Sequence, residues 1–479
     1  MLKKAVAKPV LKKDTLDADC LKNYRPVSNL SVVSKLIEKI VLDQLNTHIE
    51  NNNLHASMQS GYRVHHSCET LLVKMMDDIL QDMDNGRVVV VVLLDLSAAF
   101  DTIDHELLLE KLRIDFGLSK DVLYWFKSYL KGRSFCVKIG SVLSSFLELL
   151  FGVPQGSLLG PILFILYIKY LEEIARRHGL KIKLYADDSQ LYISFHPHYP
   201  SEYHDVCERT SKCLNDIKAW MVANFMKLND SKTELLIIGK PLVLRSNIHG
   251  VSVSIGEVVI EPTECKDDKW TSLGVMLDGS LTMERQINGV KQKCCWTMNN
   301  MRIISCYLDK GNKIMMVKQL VIMRIDYCSA LYINLPKKQI KKLRSVLNNG
   351  IRFIFNIKDF QLDLAPFYKA AHILPIDYRI IFKVSLLCYK AINGMVPSYF
   401  DGLVSITNQD RPRTRFHPAD DHLQLQTRPL PLTRYGARRF SSFAPGVWNQ
   451  LPLSIRSLQN ITTFKKTLKT HLFTLFDSQ

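Results

Sequence analysis

The sequence predicts an α+β protein, with antiparallel strands among helices in its first part and helices through most of the rest. Three observations lead there. The run Val88–Leu94 consists only of Val and Leu, the composition of a strand buried on both faces. Residues 181–195 alternate on both sides of Ala186-Asp187-Asp188, the pattern of a β-hairpin with two carboxylates at its turn. From about residue 261 the pattern changes to helical stretches.

In chain order, Asn23-Tyr24-Arg25-Pro26-Val27-Ser28 leads into an amphipathic helix that reaches about Glu50. Leu36, Ile37, Ile40, Val41 and Leu45 form its apolar face, and Lys35, Glu38, Lys39 and Asp43 the other. Residues 70–83 repeat that pattern. After the Val88–Leu94 strand come helices over 106–112 and 122–130. Gly and Pro punctuate 152–161 and open an apolar helix over 162–171. The hairpin follows, then a helix over 206–223 and a strand over 234–239. Residues 401–431 are rich in Pro and Arg. These changes divide the chain into a basic lead-in (1–21), a first domain (22–260), a mostly helical region (261–400) and a basic C-terminal segment (401–479).

Composition narrows the function classes. The chain has 479 residues, enough for two or three domains, with 47% hydrophobic and 23% charged residues. Lys and Arg outnumber Asp and Glu by 63 to 46, a formal charge of +17, which favours a polyanionic partner. The eleven cysteines are scattered, with no CxxC pair, which speaks against a zinc site or a disulfide framework and for a reducing compartment. The basic start carries no apolar run of signal-peptide length, and the most hydrophobic stretch, Val88–Leu94, is far too short to span a bilayer. Neither secretion nor a membrane span is expected.

The chemistry centres on three carboxylates. Asp95 ends the buried strand, and Asp187 and Asp188 sit at the hairpin tip. A strand-end acid facing a pair of hairpin acids is one way to build a two-metal site for in-line phosphoryl displacement. Mg²⁺ suits such a site, because it takes a few carboxylates and completes its shell with phosphates and water. Asp also favours turns, so the tetrapeptide Tyr185-Ala186-Asp187-Asp188 alone leaves ordinary turn residues open.

Three blocks occur in order: Leu94-Asp95-Leu96-Ser97-Ala98-Ala99-Phe100-Asp101, then Gly152-Val153-Pro154-Gln155-Gly156-Ser157-Leu158-Leu159-Gly160-Pro161, then Tyr185-Ala186-Asp187-Asp188. They resemble motifs A, B and C of reverse transcriptases, in the wording of LINE (non-LTR) retrotransposons of the jockey-like group. Asn23–Ser28 and Gln59-Ser60-Gly61-Tyr62-Arg63 resemble that family's fingers blocks. Leu228-Asn229 with Ser231-Lys232-Thr233 resembles motif D, and Leu273-Gly274-Val275 the block near the primer. Asp326-Tyr327-Cys328 and the stretch from Phe440 to Pro452 resemble the C-terminal part, so the likeness covers nearly the whole chain.

The resemblance implies a right-hand polymerase fold, fingers and palm to about residue 260 and a helical thumb to about 400. It implies copying of an RNA template from a DNA primer with deoxynucleoside triphosphates and two Mg²⁺ ions, Mn²⁺ being a substitute. Asp95 and Asp187 would ligate the metals, with Asp188 as the less direct third acid. Phe100 would gate against a 2′-hydroxyl, Gln155 and Gly156 would line the nucleotide pocket, Arg63 would hold the triphosphate and Lys232 would protonate the leaving pyrophosphate. Arg411, Arg413, Arg415, Arg438 and Arg439, interleaved with aromatics, are expected to touch RNA, whereas Phe443 and Trp448 are expected to pack internally.

The family usually carries an endonuclease domain before the polymerase, so nicking activity is expected to come from elsewhere. Work on chromatin implies a nuclear and cytoplasmic ribonucleoprotein. Lys169-Tyr170-Leu171 stands where the family usually has Asn-Asp-Leu, and Cys265-Lys266-Asp267-Asp268-Lys269-Trp270 is an insertion-like departure. An inactive remnant that only binds RNA therefore stays open as an alternative. Another palm polymerase is a third reading, disfavoured by Ala186 where viral RNA polymerases usually carry Gly.

Overall fold

β-Branched residues stiff at χ1 pack well on a pleated surface, and the chain spends its longest run of them on one central strand. The computed structural model describes residues 3–12, 16–97, 100–246, 251–262, 270–407, 423–429 and 431–477. Its elements begin with β1 (Lys4–Leu11), β2 (Tyr24–Asn29), α1 (Val32–Asn51), α2 (Cys68–Asp84), β3 (Val88–Leu94) and β4 (Leu96–Ser97). Then come α3 (His105–Ile114), α4 (Lys120–Leu130), β5 (Ser134–Ile139), β6 (Val142–Leu143), β7 (Leu147–Glu148), α5 (Gly160–Tyr167) and α6 (Leu171–Arg177). The hairpin strands β8 (Lys181–Tyr185) and β9 (Asp188–Phe195), helix α7 (Pro200–Ala223), β10 (Lys227–Leu228) and β11 (Glu234–Ile238) follow. Further on, the long helices are Glu284–Ile303, Lys337–Phe355, Ile376–Ile392, Phe440–Asn449 and Ile461–Asp477. The α+β expectation is met.

The central sheet runs β11-β3-β9-β8, antiparallel throughout. Side chains of β3 alternate between two cores, as a period of two requires. Val89 and Val91 join α2, Tyr192 and the helices of the second half. Val88, Val90, Val92 and Leu94 join α3, α4, α5 and α7. All six are at most 4% exposed, so the strand is buried on both faces as its composition predicts. A second sheet, β2-β1-β5-β6 with β7 also on β5, places β1 parallel to β5. Strand β1 falls within the stretch read as a lead-in.

Two local expectations are corrected. Helix α1 forms, but Leu36 and Ile40 are each 60% exposed, while Ser34 and Glu38 are buried. Of the polar side, Glu38 alone turns inward, while Lys39 and Asp43 stay exposed. It does so because it accepts the backbone N–H groups of Leu158 (2.7 Å) and Leu159 (3.4 Å), the open end of α5, and the Ser34 hydroxyl at 3.3 Å. A carboxylate is well matched to the orphan donors and positive end of a helix N-terminus. The helix read over 162–171 breaks instead after Tyr167, and α6 starts at Leu171 with Ile168, Lys169 and Tyr170 between.

The C-terminal helices do not stand apart. Phe440, Trp448, Phe464 and Leu468 share one hydrophobic core with α2 and one face of β3. Trp448 is fully buried and its Nε1 donates to the Leu423 carbonyl at 2.8 Å, which fulfils the expectation of internal packing. The buried Asp77 carboxylate of α2 accepts from Ser441 N (2.8 Å), Ser441 Oγ (3.0 Å) and Arg439 Nη2 (3.1 Å). No helix among the described residues is long and apolar enough to cross a membrane. The ten described cysteines are all free thiols.

Candidate active site

Asp95 leaves the end of β3 between the buried Leu94 and Leu96, so burial fixes where its backbone stands. Its carbonyl accepts from Asn229 N at 3.0 Å. Its Oδ2 lies 3.3 Å from Asn229 Nδ2 and 3.3 Å from Lys232 Nζ. The antiparallel register that pairs Leu94 with Ser189 carries Asp95 toward Asp188. Tyr185 pairs with Asp188, which leaves Ala186 and Asp187 as the two turn residues. Asp188 is thus the first residue of β9, one step below the tip.

Asp188 carries the clearest mark of this crowding. Burial raises the Asp188 carboxyl to about 6, and the charges of Asp187 and Asp95 push it the same way. Among the described residues no three acids converge closely enough to hold one ion; Asp95 is turned to Lys232 and Asn229 instead. Asp188 resists ionisation beside the other two acids, and the Lys232 cation offsets Asp95. Carboxylate oxygens are the donor type that hard divalent cations take.

The turn is held from behind. Ala186 adopts a left-handed φ of +55°, which costs a non-glycine residue about 1–2 kcal/mol. Its N–H donates to Gln59 Oε1 at 3.0 Å. Ser60 N donates to the Leu184 carbonyl at 2.8 Å, so Gln59 and Ser60 lie alongside the end of β8. Tyr62 reaches the tip: burial first, and the charge of Asp187 second, raise its hydroxyl pKa. Tyr399, from the 3-10 turn Ser398–Phe400, hydrogen-bonds Ser60 Oγ (2.8 Å) and Thr70 Oγ1 (3.1 Å).

On the other side, Phe100 is half-buried, its ring centroid 4.9 Å from that of Phe164, and its carbonyl accepts from Val153 N at 2.9 Å. Gln155 Nε2 donates to both Asp101 oxygens at 2.9 Å, so its amide is engaged within the loop. Gly156 has φ +113°, and a Cβ there would stand 2.5 Å from the Ser28 carbonyl oxygen, so only glycine fits. These contacts join the first block to the second, and the β3–β9 register joins the first to the third.

Other expected site residues are placed elsewhere. The Arg63 guanidinium donates to the carbonyls of Ala56 and Gln59, both at 3.0 Å, beneath its own loop; it satisfies backbone acceptors rather than presenting a free fork for a triphosphate. Arg438 and Arg439 are turned inward, contrary to the expected RNA contact. Burial brings Arg438 down to about 10, and Arg439 is engaged with Asp77 and Gln81. Arg411, Arg413 and Arg415 lie outside the described residues. Sequence reasoning assigned no role to Gln59, Tyr62, Tyr399, Glu38 or Asn229. Gln59, Tyr62 and Asn229 lie within the quoted blocks; nothing local marks Tyr399 or Glu38.

Residues 10–277 match the family described as reverse transcriptase (RNA-dependent DNA polymerase). The chain belongs to this family. A probable RNA-directed DNA polymerase from transposon BS of Drosophila melanogaster is 27% identical over 290 residues, covering 58% of this chain and 30% of that protein. The RNA-directed DNA polymerase from mobile element jockey of the same organism is 24% identical over 409 residues, covering 83% of this chain and 40% of that protein. The resemblance to jockey-like non-LTR reverse transcriptases is borne out. The chain spans 30% and 40% of the length of these two relatives. A solved apo telomerase from Candida tropicalis aligns with 84% of this chain and 68% of its own, at 11% identity and a TM-score of 0.42.

Proposed function

We propose that this reverse transcriptase chain catalyses RNA-directed DNA synthesis, attaching deoxynucleotides to a DNA primer on an RNA template. The observation that carries the reading is the register that brings Asp95, at the end of β3, to Asp187 and Asp188 at the β8–β9 turn. Two Mg²⁺ ions, or Mn²⁺ in their place, would neutralise charge on the triphosphate and on the attacking primer oxygen when bound there. Asp95 and Asp187 would hold them, with Asp188 behind.

The chain's own contribution is positioning. Phe100, beneath the site of the incoming sugar, would exclude a 2′-hydroxyl by filling its space. Gly156, seated on the Ser28 carbonyl, and Gln155, braced by Asp101, keep in place the loop that would line the nucleotide pocket. Lys232, exposed and 3.3 Å from Asp95, is within the site and can give a proton to the departing pyrophosphate. The formal charge of +17 suits a polyanionic template and primer, and work within a nuclear and cytoplasmic ribonucleoprotein belongs to this reading.

Purified protein given Mg²⁺, an RNA template, a DNA primer and deoxynucleotides should extend the primer, and Asp187→Asn should abolish extension. Well-folded protein that binds template-primer yet never extends it would refute polymerisation and leave an RNA-binding remnant.

A further inference from the structure

The turn carrying Asp187 sits in a backbone conformation that its own sequence does not favour. Ala186 is 5% exposed and left-handed, and its N–H points away from solvent. The acceptor that meets this N–H comes from Gln59, which is 1% exposed and lies 127 positions away in sequence. The same oxygen accepts from Gly61 N at 2.8 Å, so Gln59 Oε1 joins two backbone donors, one on each side of the contact. Gly61 is fitted to the turn as well: a Cβ at that position would stand 2.5 Å from Ala186 N. Behind this pair, Ser60 is tied both to the Leu184 carbonyl and to Tyr399.

We infer that Gln59 is a positioning residue for the catalytic turn: its side-chain oxygen holds Ala186 in the left-handed conformation and so sets where Asp187 stands relative to Asp95. The inference rests on the polymerase reading of Asp187 but goes beyond it, since it concerns how the ligand is presented. Gln59 Nε2 is buried and has no hydrogen-bond partner among the described residues. The acceptor oxygen is therefore the part of the side chain that works, and glutamate, whose carboxyl burial favours in its neutral form, keeps an accepting carbonyl oxygen there. Methionine matches the shape and removes the acceptor, leaving two buried N–H groups to find other partners.

The test compares wild type with Gln59→Met, Gln59→Glu, Gly61→Ala and Asp187→Asn. Mn²⁺ alone is titrated into each folded protein and free Mn²⁺ is read by electron paramagnetic resonance; primer extension then gives kcat and KM for the deoxynucleotide. Gln59→Met is expected to weaken Mn²⁺ binding on the order of tenfold and to lower kcat on the order of 100-fold, with KM little changed. Gln59→Glu should restore both toward wild type. Gly61→Ala, which displaces the turn with Gln59 intact, should behave like Gln59→Met and covers the case in which that variant does not fold. A merely structural role would lower the folded fraction without moving Mn²⁺ affinity per folded molecule.

Equal Mn²⁺ affinity in wild type and in the folded Gln59 and Gly61 variants would overturn the inference. So would Gln59→Glu behaving no better than Gln59→Met, or wild type that takes up no Mn²⁺ beyond Asp187→Asn. Wild type that binds Mn²⁺ through Asp187 but extends no primer would refute polymerisation alone, and the Mn²⁺ titrations would still decide the role of Gln59.

Discussion

Replacing Asp77 by Ala asks whether the C-terminal helices are part of the catalytic body. Asp77 is on α2, which packs against β3, and its side chain is 2% exposed; the Arg439 side chain paired with it is 11% exposed. The carboxylate takes three hydrogen bonds from Arg439 and Ser441. Without it the guanidinium keeps, among the described residues, only Gln81 Oε1 at 3.0 Å, and Ser441 loses the acceptor of both its N–H and its hydroxyl. Removing one partner of a buried ion pair costs about 3–5 kcal/mol, chiefly because the other charge is left uncompensated. Against a typical total stability of about 5–15 kcal/mol, that is a large fraction. Urea unfolding followed by tryptophan fluorescence should show the loss, and limited proteolysis should release fragments from the 431–477 region. Adding Arg439→Ala should recover part of it, since the orphaned charge is gone. A loss below about 1 kcal/mol, the scale of an exposed pair, with unchanged proteolysis would refute the reasoning.

Three further outcomes follow from the geometry. Gly156→Ala places a Cβ against the Ser28 carbonyl at a φ of +113°, so it should destabilise by about 1–3 kcal/mol and depress primer extension more than template binding, checked by parallel assays. Burial brings the Lys183 ammonium down to about 8 from its ordinary 10.5. Between those pH values the unfolded chain holds more protons than the folded one, so this group makes stability rise with pH there, while below pH 8 the cost of its buried charge is fully present. Lys183→Met should flatten that rise and stabilise the protein at pH 7 by on the order of 3 kcal/mol, read from urea midpoints of both proteins at pH 7 and pH 9.5. Glu38→Ala uncaps the start of α5 and leaves Leu158 N without its 2.7 Å acceptor; a loss of about 1–3 kcal/mol is expected, measured by thermal unfolding.

The parts legible in the sequence were those fixed by local pattern. Val88–Leu94 could hardly be anything but a doubly buried strand, and the alternation around Ala186-Asp187 located the hairpin with its acids. What escaped was decided by contacts far apart in sequence. Nothing in α1 announces that Glu38 will cap a helix 120 residues later, so its apolar spacing misplaced Leu36 and Ile40, though Leu45 is buried as expected. Arg438 and Arg439 looked like surface cations because Asp77 and Asp278, which draw them inward, lie in other parts of the chain. Arg63 went astray for a related reason: the loop from Ala56 to Gln59 leaves carbonyls that its guanidinium satisfies.

The sharing of β3 between two cores bears on how this sequence can drift. In a strand with one wet face, alternate positions accept polar residues freely, and a saturation scan would show tolerance with a period of two. Here that rhythm should be missing: Val89 and Val91 are as enclosed as Val88, Val90 and Val92, and a polar substitution at any of them strands an unsolvated group. Neutral change is confined instead to conservative exchange among aliphatic residues, with volume mattering on both sides at once. Drift at this strand therefore takes the footing from Asp95 sooner than drift at an exposed helix position such as Leu36 or Ile40 does.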